Sequence, residues 1–489
     1  MNSLITLESI TVPVPSDDDK RADDQRIRDA LGHEDLEIPL SVLRKIPSQT
    51  GSVLSCIVGR SRRGCKLIDI SVSSSYSVAL DLGSTNLAAV LYDNVSQRVV
   101  SEARAVNPQI KFGSDILTRM HHSMSGRAGE VCQCLMDGVD TVINDLCSNA
   151  GIQRSDIHAL TAAGNTVMSH YFLGLDISRI PVSPFVPAVR KPGFFTASDL
   201  QIGVHPEALV YVFPNAGIYV GGDIVAGLLS SGIYSSEKPC ILIDVGTNAE
   251  IVIGSRDWML AGAGAAGPAL EDGIAGIGKR AESGIIYDID IQDGGISCRT
   301  FDNAPPRGIC GSGMVSLMYE LFHKGIIGSD GILNPGHKGV DTLRGRNVFA
   351  FSCGPGDRLV IEQTEIDNFL RSKAAMFTLL LVMLRSVGLQ FGDIDKVYVA
   401  GALGNGINVR KAAGIGMLPD WSEEQIIPIG NSSLKGALMI LQDSSLLEQE
   451  DEITDGITYK HMHDDPEFMK EFSGAIFIPH TNPGLLKIV

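Results

Sequence analysis

The sequence predicts a duplicated α/β protein with mixed sheets, preceded by a small strand-rich module. Strand-like segments ("VALDL", "LAAVLYD", "ILIDV", "EIVIG", "KVYVAG") alternate with helical stretches around residues 115–150, 311–325 and 365–388. That alternation implies helices layered on sheets. The stretch "VALDLGSTNLAAVLYD", residues 78–93, recurs in design as "CILIDVGTNAEIVIG", residues 240–254. A repeat of so long a period marks a duplicated domain, not a solenoid. A chain of 489 residues with 44% hydrophobic content can bury the cores this requires.

The elements follow in order. Residues 1–33 hold "TVPVPSDDDKRADDQRIRDAL", a Pro-punctuated extended piece and a charged stretch with few apolar positions, expected to be a linker or dimerisation arm. In residues 34–75, apolar runs such as "SVLSCIVG" and "CKLIDISVSS" alternate with polar turns, which suggests a small middle domain rich in strands. The main body covers residues 76–489. Ser114-Asp115 and Thr364-Glu365 are candidate helix caps within it.

Bulk properties exclude several classes. A net charge of -17 and a pI near 5.1 argue against nucleic-acid and anionic-membrane binding, both of which need concentrated positive charge. The longest apolar run, Ala374 to Leu384, is about half the roughly 20 residues of a membrane span and reads as a buried helix. Nine cysteines without a CxxC pair resemble reduced cytosolic usage, so a cytoplasmic protein is expected. No set of about four zinc or iron-sulfur ligands at suitable spacing is evident, and His461-Met462-His463-Asp464-Asp465 reads as a solvated acidic loop.

The repeated hairpins carry the chemistry. Glycine after an acidic strand end lets successive N–H groups point into one concavity that suits phosphate oxygens. Gly83, Ser84, Thr85 and Asn86 would do this in the first copy, and Gly246, Thr247 and Asn248 in the second. Asp81 and Asp244 would repel a bare phosphate and make sense with a divalent cation between, so the pair implies Mg-nucleotide. Two hairpins, one per duplicated lobe, are expected to grip a polyphosphate from opposite sides of a cleft. A third element, "VYVAGALGNGINVRKAAGIGMLP", places Gly401, Ala402, Gly404 and Asn405 where small residues let base and ribose approach the backbone. Asp81, Asp244 and Gly401 follow one another at intervals of about 160 residues. Two decoys are set aside. "GAGAAG" (262–267) runs into Pro268 instead of a helix, and "GIAGIGKR" (273–280) has Arg280 where a P-loop needs Ser or Thr.

These motifs resemble the actin, sugar-kinase and heat-shock-chaperone ATPase superfamily, which implies an actin-like (ribonuclease H-like) fold of two lobes around a nucleotide cleft. In the chaperones a short helix about 20 residues before the second hairpin carries a catalytic carboxylate. "YVGGDIVAGLLSSGIY" stands in that place, so the resemblance implies that Asp223 positions or deprotonates the attacking water; a helix N-cap is the alternative.

Within that superfamily, "TVPVPS", "NPQIKFGSDILTRM", "AGNTVMSHYFLG", "YVGGDIVAG", "DVGTNAEI", "AAGPALEDGI", "GICGSGMVSLMYEL", "TEIDNFLRSKAA" and "AGALGNGINVRKAAGIGMLP" together resemble the reductive activators of corrinoid proteins. The resemblance covers nearly the whole chain. It implies use of ATP to return Co(II) to Co(I) on a methyltransferase corrinoid protein, often by a dimeric activator. It also places the "GICGSG" turn, with Gly311 and Ser312, near the nucleotide; Cys310 reads as a small packed residue. Only Cys56 and Cys65 precede the ATPase body, so the four-cysteine ferredoxin-like domain of the family is not matched. The expectation is therefore no intrinsic iron-sulfur cluster and a separate electron donor such as a ferredoxin.

Leverage for an uphill reduction would come from differential binding. About 3 kcal/mol shifts a one-electron potential by about 130 mV, at about 59 mV per tenfold. A small-molecule kinase of the same superfamily and a nucleotide-switched protein-remodelling module are the competing expectations.

Overall fold

The computed structural model describes residues 3–487 except 47–50, 52, 114, 219, 247, 248, 265–276, 280, 281, 293, 294, 344, 354–357, 402–406, 463 and 464. The chain divides into two compact units. The first comprises Met1–Ser230 with Ser433–Asp455, the second Ser231–Ser432 with Gly456–Val489.

In the first unit, β1 (Ile5–Thr11), β2 (Val53–Ser61) and β3 (Gly64–Ile70) form an antiparallel sheet in the order β1-β2-β3. Residues 1–33, expected as an arm, thus contribute a full edge strand. A helix, Asp23–Leu31, adds Ile27 and Leu31 to a core with Ile10, Val12, Leu36, Leu54, Val58 and Leu67. The apolar positions are sparse along the sequence, but Ile5, Ile10, Val12, Ile27 and Leu31 are buried.

The larger sheet of this unit has β4 (Tyr76–Leu82), β5 (Asn86–Asp93), β6 (Arg98–Val106), β7 (Ile157–Gly164), β8 (Gly193–Thr196) and β9 (Leu209–Val212) in the order β6-β5-β4-β7-β9-β8. Strands β4, β5 and β6 are an antiparallel meander, and β7 and β9 extend it in parallel. All eight residues of β7 are buried, as suits a parallel strand covered on both faces. The helix Ala128–Ala150 lays Val131, Leu135, Val139, Val142, Ile143 and Leu146 into this core.

The second unit begins with the meander β10 (Cys240–Val245), β11 (Ala249–Ser255) and β12 (Trp258–Gly264). Two three-stranded sheets follow, one of β13 (Ile285–Gln292), β14 (Gly295–Thr300) and β15 (Gly308–Ile309), the other of β16 (Val340–Leu343), β17 (Arg346–Phe351) and β18 (Leu359–Glu362). β19 (Lys396–Ala400), β20 (Ile426–Gly430) and β21 (Ile457–Tyr459) complete the main sheet in the order β20-β19-β10-β11-β12-β21. Here too a three-strand meander is extended by two parallel strands, β19 and β20. The two sheets differ in the sixth strand. β8 joins β9 antiparallel, whereas β21 joins β12 in parallel at the opposite edge. The duplication expected from the repeated hairpin is therefore a repeat of topology.

The run Ala374–Leu384 lies wholly buried within the helix Gln363–Ser386. Among the described residues no helix is long and apolar enough to cross a membrane. That helix begins at a capping box, with Glu365 accepting the Glu362 N–H at 2.6 Å. Asp115 caps the helix Ile116–His122 by accepting the Thr118 N–H; Ser114 lies outside the described residues.

Candidate nucleotide site

The first hairpin joins β4 to β5. Asp81 stands one residue from the end of β4, and the turn Gly83-Ser84-Thr85 leads to Asn86 at the start of β5. A Cβ on Gly83 would lie 2.2 Å from the Asn86 carbonyl oxygen, so only glycine lets the turn close this tightly.

The turn is tied to the body of the unit by its carbonyls. Buried Asn107 donates its side-chain amide to the Gly83 oxygen at 3.0 Å and its backbone N–H to the Thr85 oxygen at 2.9 Å. Arg119, fully buried, donates to the Ser84 oxygen and, through Nε, to the Gly113 oxygen at 2.9 Å. Carbonyls held by the protein are kept from a phosphate that they would repel. Burial pushes the Arg119 guanidinium down from its ordinary range, with Tyr171 and Asp115 acting in the opposite sense.

Asp223 enters on the first turn of the helix Gly222–Ser231. Its start packs against the turn after β7, because a Cβ on Gly221 would lie 2.3 Å from Asn165 Cα and one on Gly222 would lie 2.6 Å from Phe213 Cβ. Paired glycines are what let the acid come this deep. Part of the Asp223 side chain still reaches solvent, but the surrounding protein, with the Asp81 carboxylate adding to it, pushes its carboxyl up to about 7, against the Ile224 N–H that donates to it at 2.8 Å. The Ser433 hydroxyl donates to Asp81 Oδ1 at 2.9 Å. The first unit therefore gathers Asp81, Asp223 and Ser433 beside the glycine turn. A partly buried aspartate whose ionisation is made costlier by a neighbouring carboxylate is suited to a cation or to holding a proton. This donor set fits hydrated Mg2+.

In the second unit Asp244 lies in β10, opposite Glu250 of β11 and beside Ala400 of β19. Gly401 has φ +75°, and a Cβ there would meet the Val245 oxygen at 2.5 Å and Asp244 Oδ1 at 3.2 Å. The second hairpin and the start of the third motif are thus in direct contact. Gly246 has open space where a Cβ would be. Thr247, Asn248, Ala402, Gly404 and Asn405 lie outside the described residues.

Gly311 and Ser312 open the helix Gly311–His323, with Cys310 as its N-cap. Ser312 is 1% exposed and its hydroxyl is 3.1 Å from Cys310 Sγ, which also donates to the Ile286 oxygen. Cys310 is a packed residue, and Ser312 is engaged inside the fold.

The decoys resolve in part. Gly262–Gly264 belong to β12, and residues 265–276 and 280 lie outside the described set. Asp465 pairs with Lys460 at 2.8 Å and caps the helix Pro466–Ala475, while His463 and Asp464 are not described. All nine cysteines are free.

Sequence reasoning did not assign Asn107, Arg119 or Ser433. The first two sit inside "NPQIKFGSDILTRM", where a polar residue before Pro and an arginine in an apolar helix were available signals. Ser433 has no local signal.

Comparison with known proteins adds the following. A family model described as the C-terminal domain of RACo, the ASKHA domain, matches residues 238–489, and one described as the RACo middle region matches residues 76–236. The corrinoid activation enzyme RamQ of Eubacterium limosum is 29% identical over 84% of this chain and 72% of its own length. The [Co(II) methylated amine-specific corrinoid protein] reductase of Methanosarcina barkeri is 22% identical over 79% of this chain and 74% of its own. A solved reductive activator for corrinoid,iron-sulfur protein superposes with a TM-score of 0.93 at 32% identity, covering 99% of this chain and 80% of that one.

Proposed function

The chain belongs to the RACo family, and from that premise we propose that it is an ATP-dependent enzyme that binds a corrinoid protein and promotes its one-electron reduction from Co(II) to Co(I). The observation that carries the catalytic half is the Asp81–Asp223 pair beside a glycine turn whose carbonyls are bound by Asn107 and Arg119.

On this reading Gly83, Ser84, Thr85 and Asn86 hold phosphate oxygens, as do Gly246, Thr247 and Asn248, while Gly401, Ala402, Gly404 and Asn405 border the adenosine. Asp81 and Asp244 hold hydrated Mg2+. Bound Mg2+ would neutralise the phosphate charge that these carboxylates would otherwise repel. Asp223 orients the attacking water and accepts its proton, and a carboxyl raised to about 7 suits that exchange near neutrality. Ser433 keeps Asp81 oriented. Gly311 and Ser312 act by setting the start of their helix.

The electron comes from a low-potential carrier such as a ferredoxin. Hydrolysis contributes by alternating tight and weak complexes with the corrinoid partner, so that differential binding offsets an unfavourable potential. We place the enzyme in the cytoplasm, as a homodimer. Its plan is a small N-terminal module over residues 1–75, in which the strand and helix of residues 1–33 share one core with residues 34–75, followed by an actin-like ATPase body (76–489).

The test is visible spectroscopy of a Co(II) corrinoid protein mixed with reductant, ATP and this chain. Co(I) should accumulate with the wild type and fail to accumulate with Asp223→Asn. Equal accumulation with the variant, or none with the wild type for any corrinoid partner, would overturn the proposal.

A further inference from the structure

Away from the nucleotide site, three residues far apart in sequence meet inside the first unit. Asp69 lies at the end of β3, His158 in β7 and His205 in the turn before β9, and one ligand atom from each falls within 4.8 Å of the others. Asp69 Oδ2 is 3.3 Å from His205 Nε2, and the two imidazole centroids are 5.1 Å apart. Asp69 Oδ1 is occupied separately, by Lys45 Nζ at 2.6 Å and the Ile70 N–H at 2.8 Å, which leaves Oδ2 as the oxygen turned toward the histidines.

His158 is the second, independent observation. It is 0% exposed, its Nδ1 is 3.1 Å from Ser75 Oγ, and its Nε2 makes no hydrogen bond to any described residue. An unpaired buried ring nitrogen is costly. Burial, with His205 adding to it, pushes the imidazole down to about 4, so it is neutral at physiological pH. With the Nδ1 proton given to Ser75 Oγ, Nε2 offers a lone pair, and a hydrogen-bonded second nitrogen is the arrangement that orients metal-binding histidines.

We propose that Asp69, His158 and His205 form a site for a divalent transition metal such as Zn2+, which clips β3 of the N-terminal sheet to β7 and to the turn before β9. Two imidazoles and one carboxylate select a borderline d-block ion over Mg2+ or Ca2+, which prefer oxygen. Bonds of about 2.0–2.2 Å draw tetrahedral ligand atoms to about 3.4 Å apart. His205 supplies the closing movement, giving up a long 3.3 Å bond from the Glu207 N–H to its Nδ1 as its ring proton moves to that nitrogen. Lys45, half-exposed, stays on Oδ1.

The experiment uses the full chain, stripped with a chelator and held nucleotide-free in excess Mg2+. Zn2+ is titrated calorimetrically into the wild type, His205→Gln and Asp69→Asn, with melting curves recorded with and without metal. We expect one equivalent bound, a Tm raised by Zn2+ in the wild type alone, and affinity at least about 100-fold weaker in both variants, the upper end of what even outer-shell changes cost. Metal-free circular dichroism checks that each variant is folded, and His205→Gln serves alone should Asp69→Asn unfold. Co2+ as a second probe should give d–d bands without thiolate charge transfer, since nine free cysteines are the competing ligands. No saturable uptake, uptake unchanged in His205→Gln, or a thiolate–cobalt band overturns the site.

Discussion

Replacing Arg119 by Lys tests whether the first hairpin is held by its carbonyls. The guanidinium reaches two oxygens in different segments, Ser84 and Gly113, and a single ammonium in the same burial keeps one of them. Hydrogen bonds to charged groups contribute about 1.5–3 kcal/mol each, so the variant should lose about that much stability. In a unit of this size that is a fall in Tm of about 3–12 °C at about 2–4 °C per kcal/mol. If the released contact is the one to Ser84, nucleotide binding must re-order that residue, at about 1–2 kcal/mol for a backbone position, which weakens Mg-ATP roughly 5- to 30-fold. Calorimetric titration of Mg-ATP alongside thermal unfolding reads both quantities. Arg119→Met, which keeps neither oxygen, completes the test: if it is destabilised but binds ATP as tightly as the wild type, the tethering argument is refuted, because the loss would then be one of packing alone.

Two further outcomes follow from buried lysines of the second unit. Lys373 is fully buried, donates to the Phe477 and Pro479 oxygens, and is pushed down by burial to about 7. Between pH 7 and the unfolded value near 10.5 the unfolded chain binds the extra proton, so wild-type stability should rise with pH relative to Lys373→Met. The gain is about 3 kcal/mol from pH 7 to 9.5 at about 1.4 kcal/mol per unit, and parallel pH profiles in urea unfolding would contradict it. Lys411 Nζ is surrounded by Asp288 (3.1 Å), Asp290 (2.9 Å), Glu320 (3.2 Å) and Ser316 (2.9 Å). Lys411→Met should cost about 3–5 kcal/mol by leaving buried carboxylates uncompensated, and a melting temperature within a degree of wild type would remove that assignment.

What the sequence yielded depended on how local each signal was. The two hairpins were readable because an acid, a glycine two residues later and a hydroxyl residue directly after it recur in a strand-turn-strand pattern, and β4–β5 and β10–β11 form as expected. The duplicated sheet topology followed from the same repeat. The buried helix at Ala374–Leu384 announced itself by an unbroken apolar run. Ile5, Ile10, Ile27 and Leu31 were harder, since a strand and a helix that each bury two apolar residues look like a charged linker until both are packed on one sheet. Ser433 reaches Asp81 across 352 positions, and Asp69, His158 and His205 meet only when β3 lies against β7. Such contacts are made by the packing of sheets, and no spacing rule encodes them.

The most direct test of the account is a titration of Mg-ATP into the full chain, Asp81→Ala and Asp244→Ala, with folding verified for each. If, as proposed, one nucleotide is held by both hairpins, one ATP should bind per wild-type chain, and each single substitution should weaken it at least about 100-fold, equivalent to about 2.7 kcal/mol. Retention of tight binding by either variant would contradict the shared site.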